Sequence, residues 1–156
     1  MKKRLKICAG ASAGGHLNQL LALLDHSDNW PGKPDFYVTT LKVVANRLKE
    51  RGSVYIIGEA NRHHPLLGIM VFLRGLKIAF RERPDIVITT GSMPLAFFCL
   101  SSKLFGARIV WIDSIANIER LSVSGRFVRK FADVCLTQWP YLASPDGSVQ
   151  YVGEIL

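Results

Sequence analysis

Leu5-Lys6-Ile7-Cys8-Ala9-Gly10-Ala11-Ser12-Ala13-Gly14-Gly15-His16, followed by Leu17-Asn18-Gln19-Leu20-Leu21-Ala22-Leu23-Leu24, is the stretch that decides the fold of this chain. An apolar run of strand type enters a turn of small residues, and the turn opens a run with helical character. The first amides of such a helix lack intrahelical acceptors and carry part of its positive dipole. Small residues let the backbone approach a ligand closely. The turn therefore reads as a seat for phosphate or a similarly polar, anionic group. Ser12, Gly14, Gly15 and Asn18 are its candidate binding residues, and His16 sits at the mouth. The dipole disfavours imidazolium, so a neutral His16 able to accept a proton is one reading. A helix-start histidine bonded to a neighbouring loop is the other.

Outward from the turn, strand-like and helix-like runs alternate along the chain. Strands are predicted over 4–9, 35–40, 53–57, 85–90, 108–112, 133–137 and 149–152, and helices over 15–25, 42–51, 66–82, 94–105 and 122–131. Gly52 and Gly106 stand as C-terminal stops, and Pro94 stands at a first helical position. The runs 85–89 and 108–112 are almost continuously apolar, as in a sheet covered on both faces. The pattern predicts α/β class: a doubly wound, mostly parallel Rossmann-like sheet forming one domain over 1–156. Ligands of such sheets bind beyond the carboxyl ends of the strands. Two further turns there carry polar residues: Thr90-Gly91-Ser92, able to donate to phosphate or sugar or to cap a helix, and Asp113-Ser114, a base or hydroxyl binder or a self-bonded turn.

The usual nucleotide motifs do not fit. No Gly-Lys-Ser/Thr follows the glycines, so the turn is not a Walker loop. As a dinucleotide fingerprint it has Ser12 in place of the middle glycine, and the second strand ends in Thr39-Thr40 rather than an acid. His63 and His64 precede Pro65 without spaced ligand partners and read as a surface loop; no metal site is expected.

The net charge of +8 at pH 7 points to an anionic partner, whether phosphorylated substrate, lipid surface or nucleic acid, the alternative being a basic solvated surface. No run of five or six Lys or Arg exists, so nucleic acid is not expected. The apolar run after Met1-Lys2-Lys3-Arg4 is too short for a signal segment, and nothing approaches a membrane span. Cys8, Cys99 and Cys135 lie far apart in apolar runs and read as core thiols of a cytoplasmic protein. In the helix predicted over 66–82, Leu66, Ile69, Leu73, Leu76 and Phe80 are expected to pack on the sheet. Leu67, Met70, Arg74, Lys77 and Arg81 form a mixed apolar and cationic stripe suited to an anionic membrane interface, or to snorkelling at the end of a buried helix.

Gly14-Gly15-His16, Thr90-Gly91-Ser92, Trp111-Ile112-Asp113-Ser114-Ile115-Ala116, Leu121-Ser122-Val123-Ser124-Gly125, Phe131-Ala132-Asp133 and Gln138-Trp139-Pro140 together resemble one family. It is the acceptor-side, membrane-associating subunit of the two-part N-acetylglucosaminyltransferase that extends dolichol diphosphate-GlcNAc, in its bacterial polysaccharide-biosynthesis form without the eukaryotic anchor. More distantly the chain is similar to the N-terminal half of the glycosyltransferase that makes peptidoglycan lipid II. The resemblance implies one half of a GT-B fold, peripheral on the inner face of the cell membrane. This half would hold a polyprenyl-diphosphate-linked sugar acceptor, while a separate catalytic subunit holds a UDP-sugar co-substrate; no cofactor is implied. Gly14, Gly15 and His16 would meet the acceptor diphosphate or sugar hydroxyl, Thr90, Gly91, Ser92 and Ser114 would line the acceptor side, and His16 then Asp113 are the candidate bases. Relatives often carry glutamate at the position of Asp113. One domain of 156 residues supplies only half of a GT-B pair. The tail, about 149–156, is therefore expected to dock the partner through Gln138, Trp139, Tyr151, Ile155 and Leu156, the alternative being an ordinary edge strand. Two rival readings are a nicotinamide-binding oxidoreductase domain and a noncatalytic membrane scaffold.

Overall fold

A computed structural model describes residues 4–26, 32–60 and 65–155. The strands are β1 (Ile7–Ala11), β2 (Phe36–Thr39), β3 (Ser53–Ile56), β4 (Ile86–Thr89), β5 (Arg108–Ile112), β6 (Val134–Thr137) and β7 (Gln150–Tyr151). They form one sheet in the order β3-β2-β1-β4-β5-β6-β7, and every pairing is parallel. The helices are α1 (Gly15–Asp25), α2 (Lys42–Leu48), α3 (Pro65–Glu82), α4 (Met93–Leu104) and α5 (Val123–Val128), with a 3₁₀ turn at Pro140–Leu142. This is the doubly wound, Rossmann-like sheet expected. Chain order reverses between β1 and β4, the switch point at which such sheets open a crevice.

Each face has its own core. Ala9, Ala11, Leu17, Leu20, Tyr37, Val44 and Leu48 bury α1 and α2 on one side. The larger core includes Val71, Ala79, Leu95, Phe98, Ile109, Trp111 and Val128 and lies under α3, α4 and α5. The three cysteines are buried free thiols, and burial pushes the Cys135 thiol up to about 12.

A recurring device starts the strands. Asp35, Asp85 and Asp133 each stand just before a strand and accept an amide of its neighbour: Ile7 N at 2.8 Å, Lys6 N at 2.8 Å and Ile109 N at 2.7 Å. The carboxylates satisfy donors that the parallel ladder leaves open at its N-terminal end.

Two expectations are corrected. Strand β1 runs to Ala11, two residues past its predicted end, so Gly10 belongs to the sheet and not to the turn. A Cβ at Gly10 would stand 2.7 Å from Leu95 Cδ1 and 3.2 Å from the Val38 oxygen, so its smallness serves helix-on-sheet packing. Helix α3 is rotated from the predicted phase. Leu66, Ile69 and Leu73 are 72%, 55% and 56% exposed and Phe80 is exposed too, whereas Val71, Gly75 and Ala79 are buried. The small residues let α3 approach α4 so closely that a Cβ at Gly75 would lie 3.5 Å from Phe98 Cα. Close backbone approach along this seam outweighs the larger apolar area of the leucine face. The strand predicted over 149–152 forms as β7, an edge strand paired with β6, and Ile155 packs against the cluster of Ile7, Ile88 and Ile112. His63, His64 and Leu156 lie outside the described residues.

Glu82 at the end of α3 accepts from Lys6 Nζ at 2.7 Å and from the Tyr55 hydroxyl at 2.6 Å, and these bonds hold its carboxyl below the ordinary range. Burial alone would raise Asp133, but Lys103 and the Ile109 amide outweigh it and hold this carboxyl low as well. A depressed folded pKa adds stability that is present at neutral pH and lost as pH falls through the folded value. Unfolding midpoints are therefore expected to drop between about pH 5 and pH 3. Glu82→Gln should lower stability by about 1 kcal/mol at pH 7 and flatten that acid loss, as a denaturation series across the range would measure.

Candidate functional site

Two turns meet at the switch point. His16, in the first turn of α1, places Nδ1 2.7 Å from the Thr90 carbonyl oxygen, and the Thr90 hydroxyl donates back to the His16 carbonyl at 2.6 Å. A carbonyl only accepts, so Nδ1 carries the proton in this bond, which in a neutral ring leaves the lone pair on Nε2. His16 thus bonds the neighbouring loop, as one of the two sequence readings expects. Gly91 makes the arrangement possible. A Cβ there would fall 2.9 Å from His16 Cε1, and its φ of 122° is one that side-chain-bearing residues avoid.

Beside this clasp lies a crevice of about 410 Å³ lined by Ser12, Thr40, Glu59, Ala60, Ser92, Met93 and Pro94. It holds two buried hydroxyls, Thr40 Oγ1 and Ser92 Oγ, that have no hydrogen-bond partner among the described residues. Buried polar atoms of this kind are costly unless something bonds them. Ser92 is also held at φ 92°, in a region sparsely used by residues with a side chain, and it precedes α4 without a capping side-chain bond. The crevice therefore combines strain, unpaired hydroxyls and the unblocked start of a 12-residue helix. Its one ionisable side chain among the lining residues is Glu59.

The sequence-predicted residues divide. Ser12 and Ser92 line the crevice, and His16 adjoins it through the Thr90–Gly91 turn. Gly14, Gly15 and Asn18 are exposed in the loop and first turn before it. Thr90 and Gly91 are buried and serve the clasp. Thr40 and Glu59 are missed in the sequence. Thr40 stands one residue past the end of β2, where the rule for parallel sheets places ligands, but Thr39-Thr40 draws notice there only for lacking an acid.

Asp113 and Ser114 have other work. Asp113 is 2% exposed; Oδ2 accepts the Ser122 amide at 2.8 Å, and Oδ1 accepts the Ser122 hydroxyl at 2.6 Å and Trp111 Nε1 at 3.3 Å. Ser122 caps α5, and a Cβ at Gly125 would strike Asp113 Oδ1 at 2.8 Å. The carboxylate is an anchor for α5, with no access for a substrate proton, and this corrects its expected role as second base. Ser114 accepts from Gln19 Nε2 at 3.2 Å inside a buried polar network. In that network Gln138 Nε2 donates to Gln19 Oε1 at 2.6 Å and to the Asp113 carbonyl at 3.0 Å, while its Oε1 accepts the Ile155 amide. Gln138 is 1% exposed, so it braces the interior and cannot meet a partner directly. Trp139 is half-buried, bonded through Nε1 to the Ile115 carbonyl and tilted against Tyr141 with ring centroids 5.9 Å apart. Tyr151 remains exposed.

A family model described as "Oligosaccharide biosynthesis protein Alg14 like" matches residues 56–155. The chain belongs to this family. It is 25% identical over 185 residues to the human UDP-N-acetylglucosamine transferase subunit ALG14, an alignment covering 99% of the chain and 85% of that relative. It is also 25% identical over 106 residues to the subunit of the same name from Yarrowia lipolytica, with 64% of the chain and 49% of the relative covered. With the Schizosaccharomyces pombe subunit it shares 35% identity over 77 residues, 46% of the chain and 37% of the relative. The chain thus spans half or less of these two fungal proteins. Among solved structures, Acinetobacter baumannii MurG superposes with a TM-score of 0.75 at 15% identity, covering 96% of the chain and 45% of MurG. UDP-N-acetylglucosamine 2-epimerase from Rickettsia bellii gives 0.72 at 14%, covering 98% and 46%. These likenesses establish the fold, and their extent matches the expectation of one GT-B half.

Nitrogen-correlated NMR of the neutral protein should show His16 with the proton on Nδ1; a proton on Nε2 contradicts the clasp. Gly91→Ala should displace the ring, abolish that signature and lower stability by roughly 1–3 kcal/mol.

Proposed function

We propose that this chain is the acceptor-side subunit of a split inverting glycosyltransferase, acting in polysaccharide or lipid-linked oligosaccharide synthesis on the inner face of the cell membrane. The acceptor is a sugar on a polyprenyl diphosphate. A separate subunit supplies the UDP-sugar, with GlcNAc or a similar hexose as the transferred group, and no cofactor takes part. The observation that carries the reading is His16, its Nδ1 tied to the Thr90 carbonyl, next to a crevice with two buried hydroxyls that have no partner among the described residues. Family membership and the sugar-nucleotide relatives support it.

The diphosphate would lie over the start of α4, accepting from the Ser92 and Thr40 hydroxyls and from backbone amides, with Ser12, Gly14, Gly15 and Asn18 at the mouth. Glu59, as a carboxylate, would repel phosphate and suits the sugar hydroxyls instead. In the reaction His16 Nε2 takes the proton of the acceptor hydroxyl while its oxygen bonds to the anomeric carbon. The bond from that carbon to the diphosphate oxygen breaks on the opposite side, and UDP leaves with the electron pair. A single displacement inverts the anomeric centre.

The outer face of α3 is the membrane surface of this reading. Leu66, Leu67, Ile69, Met70 and Leu73 are exposed together, with Arg74, Lys77 and Arg81 beside them. The rotated phase puts more apolar area outward than the sequence pattern alone would. No helix among the described residues is long and apolar enough to cross a membrane. Partner docking falls to the rim formed by Trp139, Tyr141, Tyr151 and Val152; Ile155 contributes by holding the tail on its own sheet.

With its donor subunit and a detergent-soluble acceptor, His16→Ala should lower kcat by about 10²–10⁴-fold with KM little changed. Unchanged turnover removes His16 as the base, and no glycolipid product from the wild-type pair removes the function. Lys77→Glu should weaken binding to anionic vesicles roughly thirtyfold, at about 1 kcal/mol per charge unit reversed, while sparing turnover of the soluble acceptor. Equal loss of both would remove the α3 assignment.

A further inference from the structure

A second depression, of about 820 Å³, lies on the opposite face of the sheet from α1, between α3, α4 and the start of α5. Gly68, Phe72, Phe97, Leu100 and Val123 contribute to its walls, and Ser124 supplies the one polar side chain among the described lining residues. Phe72 and Phe97 meet edge to face at 6.4 Å, which stiffens the floor. Met93 and Ala60 line both this groove and the polar crevice, so the two depressions adjoin across these residues. At the other rim Ile69 lines the groove and is more than half exposed, within the apolar outer face of α3.

A polar pocket with unpaired hydroxyls, an apolar trough and an apolar outer helix face thus adjoin one another. A ligand complementary to all three is an amphiphile: a diphosphate head, a run of apolar units and a continuation into lipid. We propose that the groove between α3 and α4 seats the head-proximal isoprene units of the polyprenyl chain while its diphosphate occupies the Thr40–Ser92 crevice. This inference rests on the acceptor-side reading and assigns the path of the lipid, which that reading leaves open. A helix from a partner protein would fill the trough but leave its junction with the crevice unused. The volume falls within the roughly 300–1,000 Å³ of small-ligand sites, enough for a few isoprene units and not for a whole polyprenyl chain. The remainder would leave past Ile69 toward the bilayer. Seating the first units fixes the depth of the diphosphate relative to His16, whatever the full length of the lipid.

Gly68 offers a clean probe. It lies within α3, where alanine and leucine both have higher helix propensity than glycine, and a Cβ there would stand an ordinary 3.6 Å from Phe97 Cε2. Gly68→Ala is therefore tolerated, and Gly68→Leu projects into the trough. Calorimetric titrations of the full chain with farnesyl diphosphate and with inorganic diphosphate, alongside thermal unfolding, test the assignment. The wild type is expected to prefer farnesyl diphosphate by roughly a hundredfold or more, because each buried methylene strengthens binding. Gly68→Leu should erase most of that preference, with inorganic diphosphate affinity and the unfolding midpoint unchanged; Gly68→Ala should keep it. A benzophenone-bearing farnesyl diphosphate should label Phe72, Met93 or Phe97. An undiminished preference in a folded Gly68→Leu, or label confined to Leu66 and Leu73, overturns the groove. If inorganic diphosphate binds and the farnesyl chain adds nothing, the groove assignment falls alone. If neither probe binds the wild type, the acceptor-side reading falls with it.

Discussion

The reciprocal bond between His16 and Thr90 joins the turns after β1 and β4, which flank the reversal of strand order. Much of the candidate site depends on it. It ties the start of α1 to the end of β4, sets the imidazole tautomer and requires glycine at position 91. It also holds the loop in which Ser92 takes its strained backbone angle at the start of α4. Backbone strain persists only where surrounding bonds over-determine it, and here the clasp supplies such bonds on one side. The buried Gln19–Ser114–Gln138 network works in parallel beneath α1, fastening the β5 and β6 loops and the tail to the same helix. One end of the sheet is thereby rigid, with polar atoms committed inward except where the crevice lies.

The opposite end of the sheet is built for stability. Asp35, Asp85 and Asp133 close the open amides of neighbouring strands, and Glu82 joins Lys6 to Tyr55. The two ends divide the chain's carboxylates by task. Those at the bottom are bonded, and the Glu82 and Asp133 carboxyls are held low in pKa. Asp113, although at the top, likewise serves as a structural brace through its bonds to Ser122 and Trp111. Its position past β5 reads as functional in the sequence because the rule for parallel sheets speaks of place, not of what the side chain bonds. Only the fold brings Ser122 within reach.

Helix α3 shows the limit of periodicity as a guide. Its sequence offers two apolar stripes, and leucine content favours the one containing Leu66, Ile69 and Leu73. Packing takes the other, because Gly75 and Ala79 allow backbone contact with α4 and Val71 fills the remaining space. Burial energy grows with area removed from water, but close-packed dispersion contacts along a small-residue seam compete with it. The leucines left outside then become a surface, next to Arg74, Lys77 and Arg81, and the groove at their edge follows from the same rotation.

The sequence by itself determined the α/β class, the order and nearly all the bounds of the elements, the parallel sheet and the burial of the three cysteines. These depend on local periodicity, on glycine and proline punctuation and on continuous apolar runs, all of which act over a few residues. Tertiary structure alone decided which face of α3 is buried, that Gly10 serves packing, that Asp113 and Gln138 are internal braces, and that Thr40 and Glu59 join Ser92 in one crevice. Each of these depends on atoms that meet across tens of residues. A hydrogen-bond partner or a packing neighbour at that separation leaves no trace in the spacing of residue types, because it exists only once the strands have taken their order.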